Sequence, residues 1–287
     1  MISQSSEMQE SALKMRAAGK RLALVPTMGA LHQGHLHLVD IARQHADVVI
    51  MSIFVNPTQF GPSEDFQKYP RNLQRDAELA QSRGVDILFT PTPAEIYPED
   101  HQTWVEVTEL SQGLCGARRP GHFRGVTTVV AALFLITQPH GAIFGEKDYQ
   151  QLAVIRRMVK DLHFPIEIIG APIQRDPDGL AMSSRNVYLS PEERQEALQL
   201  SQSIRWAQEQ VAQGETDSQV LIGEIRKKLS RGKNTQIDYI EIIDDEKLTT
   251  VSRILTNCRI LLATFVGKTR LIDNGPLSPG LKEIKNV

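Results

Sequence analysis

Apolar residues in this chain come in short unbroken blocks, separated by stretches in which they recur at helical spacing. Leu22-Ala23-Leu24-Val25 is the first block, and Val48-Val49-Ile50-Met51-Ser52-Ile53-Phe54-Val55 the second. Such runs suit strands buried on both faces of a parallel sheet. The pattern predicts strands over residues 22–27, 48–55, 85–89, 142–144 and 166–169. Between them it predicts helices over 35–44, 72–83, 127–138 and 149–162. Gly84 ends the second of these helices, and Pro91 and Pro93 stop the strand that follows it. Strands alternating with helices in this way imply βαβ units and a parallel sheet.

The pattern changes near residue 176. Asp176-Pro177-Asp178-Gly179 reads as a turn cluster. Ser190-Pro191-Glu192-Glu193 carries a helix N-cap, a proline at the first helical position and a glutamate where a capping box needs it. Helices are predicted over 191–212 and 218–229, then strands over 237–243, 259–266 and 270–272. We therefore expect two domains, 1–175 with the parallel sheet and a smaller α+β domain over 176–287. Beyond Asn274 the chain turns to Gly, Pro, Ser and Lys and is expected to be poorly ordered. No element is predicted over 1–20, where polar and apolar residues mix without the apolar block of a secretion signal.

Bulk composition narrows the function. A chain of 287 residues makes one large or two medium domains. Its formal net charge of −2 supplies no basic field, which argues against a nucleic-acid partner. No apolar run approaches the roughly 20 residues of a membrane span. Cys115 and Cys258 are the only cysteines and have no motif spacing. That suits a reducing cytoplasm and argues against a disulfide framework.

The most informative segment is Pro26-Thr27-Met28-Gly29-Ala30-Leu31-His32-Gln33-Gly34-His35. It joins the first predicted strand to the first predicted helix, the place where open α/β sheets bind ligands. The amides and dipole of a helix start point at an anion there. Gly29 and Gly34 let the backbone approach a phosphate, and His32 and His35 can both face it. His-x-Gly-His after a first strand resembles the signature of nucleotidyl-transferring α/β enzymes. Two surface histidines at a helix start, or part of a metal site, are the alternatives. The spacing is poor for zinc, which would need further ligands from elsewhere.

Three other segments add chemistry. Asn56 and Gln59, in Phe54-Val55-Asn56-Pro57-Thr58-Gln59-Phe60-Gly61, offer neutral hydrogen-bonding groups at the end of the second strand. An Asx turn at Asn56 is the alternative. In Gly145-Glu146-Lys147-Asp148-Tyr149-Gln150-Gln151, Lys147 suits a phosphate, Asp148 is placed to cap a helix, and Gln151 lies one turn on. The alternative is a capped helix with solvated charges. Ala181-Met182-Ser183-Ser184-Arg185-Asn186 offers two hydroxyls and a guanidinium, either as a mobile phosphate clamp or as an ordinary polar loop. The basic run Arg118–Gly125 either closes over a polyanion or is a solvated loop.

Together these segments resemble one family, the pantoate–β-alanine ligases. The resemblance is carried by 26–35, 52–61, 122–126, 144–151 and 179–186, together with Thr269-Arg270-Leu271-Ile272-Asp273-Asn274. It implies a Rossmann-like domain with a C-terminal lid, and a homodimer. It implies that Met28, Gly29, Ala30, Leu31, His32, Gln33, Gly34 and His35 contact ATP, with His32 and His35 at the phosphates and His35 the catalytic acid. Gly145, Glu146, Lys147 and Asp148 would bind ATP, as would Met182, Ser183, Ser184 and Arg185. Lys147, Ser183, Ser184 and Arg185 would take its phosphates. Gln59 and Gln151 would bind pantoate, with Gln59 also meeting β-alanine and Asn56 beside them. Arg119 and His122 would belong to a flexible lid region, and Asp76 would be the acidic residue near Mg²⁺. One departure stands at Gln174, where the family carries a small apolar residue whose backbone meets the adenine.

The implied chemistry is two-step. ATP converts the pantoate carboxylate to an acyl adenylate, and the β-alanine amine displaces AMP. The catalytic charge would be carried by His32, His35, Lys147, Arg185 and Mg²⁺. A transferase moving a nucleotide onto a phosphorylated acceptor is a rival, but it gives the amides of Gln59 and Gln151 no task. A nucleotide-binding regulatory module would bind ATP without forming AMP.

Overall fold

In this computed structural model, residues 1–62 and 64–278 are described. The chain divides into two compact units, Met1–Gln174 and Arg175–Val287. The first unit holds helices α1 (Ser5–Ala17), α2 (Gln33–His45), α3 (Leu73–Ser82), α4 (Pro93–Ile96), α5 (Leu114–Arg118), α6 (His122–Thr137) and α7 (Tyr149–Asp161). Its strands are β1 (Leu22–Thr27), β2 (Val48–Ile53), β3 (Ile87–Phe89), β4 (Gly141–Gly145) and β5 (Glu167–Ala171). They form one sheet in the order β3-β2-β1-β4-β5, with every pair parallel. The order reverses between β1 and β4, so their C-terminal ends flank the crevice where such folds bind ligands.

Core packing covers both faces of this sheet. Leu22, Leu24 and Ile50 pack with Met8, Val126, Val130 and Phe134 on one side. Ala23, Val25, Val49 and Met51 pack with Leu38, Val39 and Ala42 on the other. Burial on both faces is what the unbroken apolar runs of β1 and β2 require. Helix α1 was not legible from its pattern: only Met8 and Ala12 are buried along it, too few to mark an apolar stripe.

The second unit contains α8 (Pro191–Ala212), α9 (Ser218–Leu229) and the antiparallel sheet of β6 (Thr235–Asp244), β7 (Cys258–Val266) and β8 (Thr269–Leu277). Its own core joins Leu200, Ile204 and Ala207 of α8 to Ile260 and Leu262 of β7. Ser190 and Glu193 form the expected capping box of α8. The unit starts one residue earlier than the sequence suggests, because Arg175 forks Asp273 at 2.7 and 3.0 Å. Disorder expected beyond Asn274 is replaced over Gly275–Leu277 by the last residues of β8, paired with β7. The rest of that expectation, over 279–287, lies outside the described residues. Among the described residues no helix is long and apolar enough to cross a membrane.

Candidate active site

The turn from β1 into α2 is built by its own polar groups. Thr27 Oγ1 donates to the Ser52 carbonyl at 2.8 Å and accepts from the Gly29 amide at 3.2 Å. Gly29 and Ala30 follow with φ of +80° and +51°. A left-handed alanine costs of order 1 kcal/mol and persists only when its surroundings hold it. Here Asp76, 2% exposed, accepts the Ala30 amide on Oδ2 at 2.9 Å and the Leu31 amide on Oδ1 at 2.8 Å. A Cβ added at Gly29 would lie 2.9 Å from Asp76 Oδ2, so glycine is required by space as well as by φ.

Asp76, expected near Mg²⁺, stands here as a brace of this turn. Both of its oxygens brace the turn, and no group of three or more His, Cys, Asp or Glu able to hold a metal occurs among the described residues.

His32 is the N-cap of α2. Its Nδ1 accepts from the Gly34 amide at 3.1 Å, and His35 Nδ1 accepts from the His32 amide at 3.3 Å. An amide can only donate, so each Nδ1 is unprotonated and each proton sits on Nε2. The ring centroids are 4.0 Å apart. Desolvation pushes His35 down to about 3, helped by the charge of Lys147. His35 is thus a neutral donor near pH 7. The sequence suggested that helix amides would face the anion. Instead the amides of His32, Gly34 and His35 are bonded inside the turn.

Beside this turn, at the end of β2, Asn56 caps a 3-10 turn over Pro57–Gln59. It is 1% exposed. Asn56 Oδ1 accepts from the Thr58 amide (3.3 Å), Thr58 Oγ1 (2.9 Å) and Tyr97 OH (2.9 Å). Its Nδ2 donates to Gly125 O (3.1 Å) and Gln59 Oε1 (3.0 Å). Every hydrogen-bonding position is used, so Asn56 braces the turn that carries Gln59. Gly125 must be glycine, because a Cβ there would come within 2.5 Å of Thr58 O. The Gln59 side chain extends to Met28, with Nε2 3.3 Å from Sδ.

Arg119 and His122, expected in a lid region, stand at the entry to α6. Helix α6 begins at His122, five residues before the sequence suggests, and His122 is buried. Arg119 forks Glu64 through Nε and Nη2, each at 2.6 Å. His122 Nδ1 donates to the Gln59 carbonyl at 2.8 Å, leaving Nε2 to accept from Arg119 Nη1 at 3.0 Å. Burial, then the Arg119 charge, pushes His122 down to about 4. Burial opposes the charge of Glu64, but the Arg119 fork outweighs it and holds Glu64 below the usual carboxylate range. These residues lock the backbone of Gln59 into the body of the unit.

After β4, Glu146–Asp148 form a 3-10 turn leading into α7. Asp148 occupies the N-cap position of α7 but makes no side-chain capping bond, against expectation. It lies 3.6 Å from Lys147 Nζ. Gln151 sits in the first turn of α7, and Gln174 lies past the end of β5. Neighbouring Gln150 ties Leu110, Gly113 and Cys115 together through three bonds of 2.9 Å.

In the second unit, Met182 precedes a 3-10 turn over Ser184–Tyr188. Ser183 caps it, accepting from the Arg185 amide at 3.2 Å. Asn186 Nδ2 donates to Ala181 O at 3.0 Å. The preceding turn is not loose: Arg194 of α8 reaches Asp176 at 2.7 Å and Asp178 at 2.8 Å. Sequence reasoning named neither Arg194 nor Tyr97, Thr58 or Glu64, whose partners are all distant or structural.

Comparison with known proteins places this geometry. The family described as Pantoate-beta-alanine ligase matches residues 1–276. The chain is 53% identical to the pantothenate synthetase of Syntrophotalea carbinolica over 274 residues, covering 96% of this chain and 97% of the relative. It is 53% identical to that of Thermotoga petrophila over 274 residues, covering 96% and 98%. The crystal structure of pantothenate synthetase from Thermus thermophilus superposes with a TM-score of 0.91 at 46% identity, covering 97% of this chain and 99% of that one. The pantoate-beta-alanine ligase of Francisella tularensis, complexed with beta-gamma ATP and beta-alanine, gives 0.79 at 37% identity, covering 96% and 97%.

Proposed function

The chain belongs to the pantoate–β-alanine ligase family, and from that premise we propose how its residues carry the reaction. The enzyme condenses (R)-pantoate with β-alanine at the expense of ATP, through pantoyl adenylate. A pantoate carboxylate oxygen attacks the α-phosphorus, and the bond to pyrophosphate breaks. The β-alanine amine then attacks the activated carbonyl, AMP leaves and the amine gives up a proton. No covalent bond to the protein forms, so catalysis rests on alignment and on charge stabilisation at phosphorus.

In this reading, 28–35 and 145–148 bind ATP, with Gln174 at the adenine. The Nε2–H groups of His32 and His35 and the ammonium of Lys147 meet the charge that develops on the phosphates. His35 acts as a neutral donor held in place before the reaction, and not as an imidazolium acid. Gln59 and Gln151 bind pantoate, and Gln59 also meets β-alanine. Met182, Ser183, Ser184 and Arg185 bind ATP as well, the two serines and Arg185 at its phosphates. Mg²⁺ is proposed to arrive on the triphosphate, without a dedicated carboxylate set from the protein. A cytoplasmic homodimer completes the proposal; two free buried cysteines suit a reducing compartment.

The observation that carries the assignment is the fixed tautomer of His35 in the first turn of α2, just past central strand β1 and within electrostatic reach of Lys147. Omission of each substrate in turn tests it. ATP and pantoate alone should release pyrophosphate, and free AMP should accumulate in step with pantothenate only when β-alanine is added. Pyrophosphate release driven by a phosphorylated alcohol in place of pantoate would favour the transferase rival.

A further inference from the structure

The orientation of the Gln59 amide follows from backbone groups whose roles cannot reverse. The Thr58 amide must donate, so the Asn56 atom facing it at 3.3 Å is Oδ1. The Gly125 carbonyl must accept, so the Asn56 atom facing it at 3.1 Å is Nδ2. Asn56 therefore has one orientation, and its Nδ2 can meet only an acceptor on Gln59, namely Oε1 at 3.0 Å. Gln59 Nε2 is turned the opposite way, toward Met28 Sδ at 3.3 Å in the turn that carries His32 and His35. A thioether is a weak acceptor, readily exchanged for a substrate oxygen.

Tyr97 closes this chain. Its hydroxyl donates to Asn56 Oδ1 at 2.9 Å and lies 3.1 Å from Thr58 Oγ1. Its ring is held between Phe54 at 6.3 Å, His101 at 5.1 Å and Trp104 at 6.2 Å. The hydroxyl thus has a fixed direction, and its bond polarises the amide that orients Gln59. Tyr97 lies 41 residues from Asn56 in sequence, and its hydroxyl reaches Gln59 through Asn56.

We propose that Tyr97 is a positioning residue for the acid substrate: Thr58 and Gly125 set which way the Asn56 amide faces, and the Tyr97 hydroxyl tightens and polarises it, so that Gln59 is held firmly as a donor-only amide matched to the oxygen acceptors of pantoate. The proposal rests on Gln59 binding pantoate, as argued above. A donor-only amide favours a carboxylate or an ether-like oxygen and gives nothing to a substrate group that must itself donate.

A mutant cycle tests it. Tyr97→Phe keeps the ring and its packing, and Asn56 Oδ1 retains both Thr58 donors, so the fold should stand. Tyr97→Phe should raise KM for pantoate about two- to tenfold, the range of one net hydrogen bond. KM for ATP and the thermal midpoint should stay unchanged. In a Gln59→Ala background the same substitution should add nothing, because its target is gone. Additive effects, an equal shift in KM for ATP, or an unchanged KM for pantoate in Tyr97→Phe while Gln59→Ala raises it would each overturn the proposal. An unchanged KM for pantoate in Gln59→Ala would be a different result: it would remove the pocket assignment, and this proposal with it.

Discussion

His32 and His35 stack with ring centroids 4.0 Å apart, and the amide of His32 bonds the ring of His35 at 3.3 Å. One residue thus caps the helix with its side chain and fixes the neighbouring His35 ring with its backbone. Both imidazoles are neutral in this arrangement, with lone pairs turned inward to amides and protons on Nε2. Histidine suits the place because glutamine or asparagine could not pair an inward acceptor with an outward donor on one rigid ring.

The neutral histidines, His122 buried and His35 half-buried, make stability fall in acid. His35 and His122 are pushed down to about 3 and about 4 in the fold, against about 6.5 unfolded. Between those values the unfolded chain binds more protons, so stability is lost as pH falls from about 6.5 toward 4. Urea denaturation at about pH 7 and about pH 5 should show a lower midpoint in acid. His122→Gln should show a smaller drop. An equal drop in both proteins would contradict the assignment of a neutral His122.

Asp76→Ala should damage the turn. It strands the amides of Ala30 and Leu31, at a cost of about 1–3 kcal/mol for a buried unmet group, and it should raise KM for ATP. Excess magnesium should not restore activity, because the defect lies in backbone geometry. Rescue by magnesium would return Asp76 to the role of metal ligand.

Gln151→Ala should raise KM for pantoate much more than KM for ATP, again by about 1–3 kcal/mol if a polar partner is left unmet. Gln59→Glu sharpens the test. It places an acceptor where a donor is required, so pantoate use should fall below that of Gln59→Ala. Equal losses toward pantoate and ATP in the alanine variants would show that the pocket is misassigned.

If Ser183, Ser184 and Arg185 take phosphate oxygens, ATP with Mg²⁺ should slow hydrogen exchange over 183–188. Arg185→Ala should remove most of that protection and slow the first half-reaction. Exchange unaffected by ATP would exclude a phosphate role for this turn.

Much of the fold could be read from the chain because its strongest signals are local. Apolar runs marked β1 and β2, and Ser190-Pro191-Glu192-Glu193 marked the start of α8. The start of α6 was hidden because Arg118-Arg119-Pro120-Gly121 reads as a loop, while His122 is buried by partners far along the chain. In the site, residue types and strand ends identified His32, His35, Gln59 and Lys147 as candidates. They could not separate Gln59, which faces a neighbour's thioether, from Asn56, which is spent on bracing it. Nor could they separate Asp76 as a brace from Asp76 as a metal ligand. Those distinctions depend on contacts spanning 31 to 69 residues.

The most direct test of the central claim is a single-turnover measurement of pyrophosphate release from ATP and pantoate by His35→Ala. Loss of one preorganised donor should slow the burst about 10²–10³-fold, with ATP binding and the thermal midpoint retained. A burst at nearly the normal rate would contradict the account and remove His35 from the chemistry.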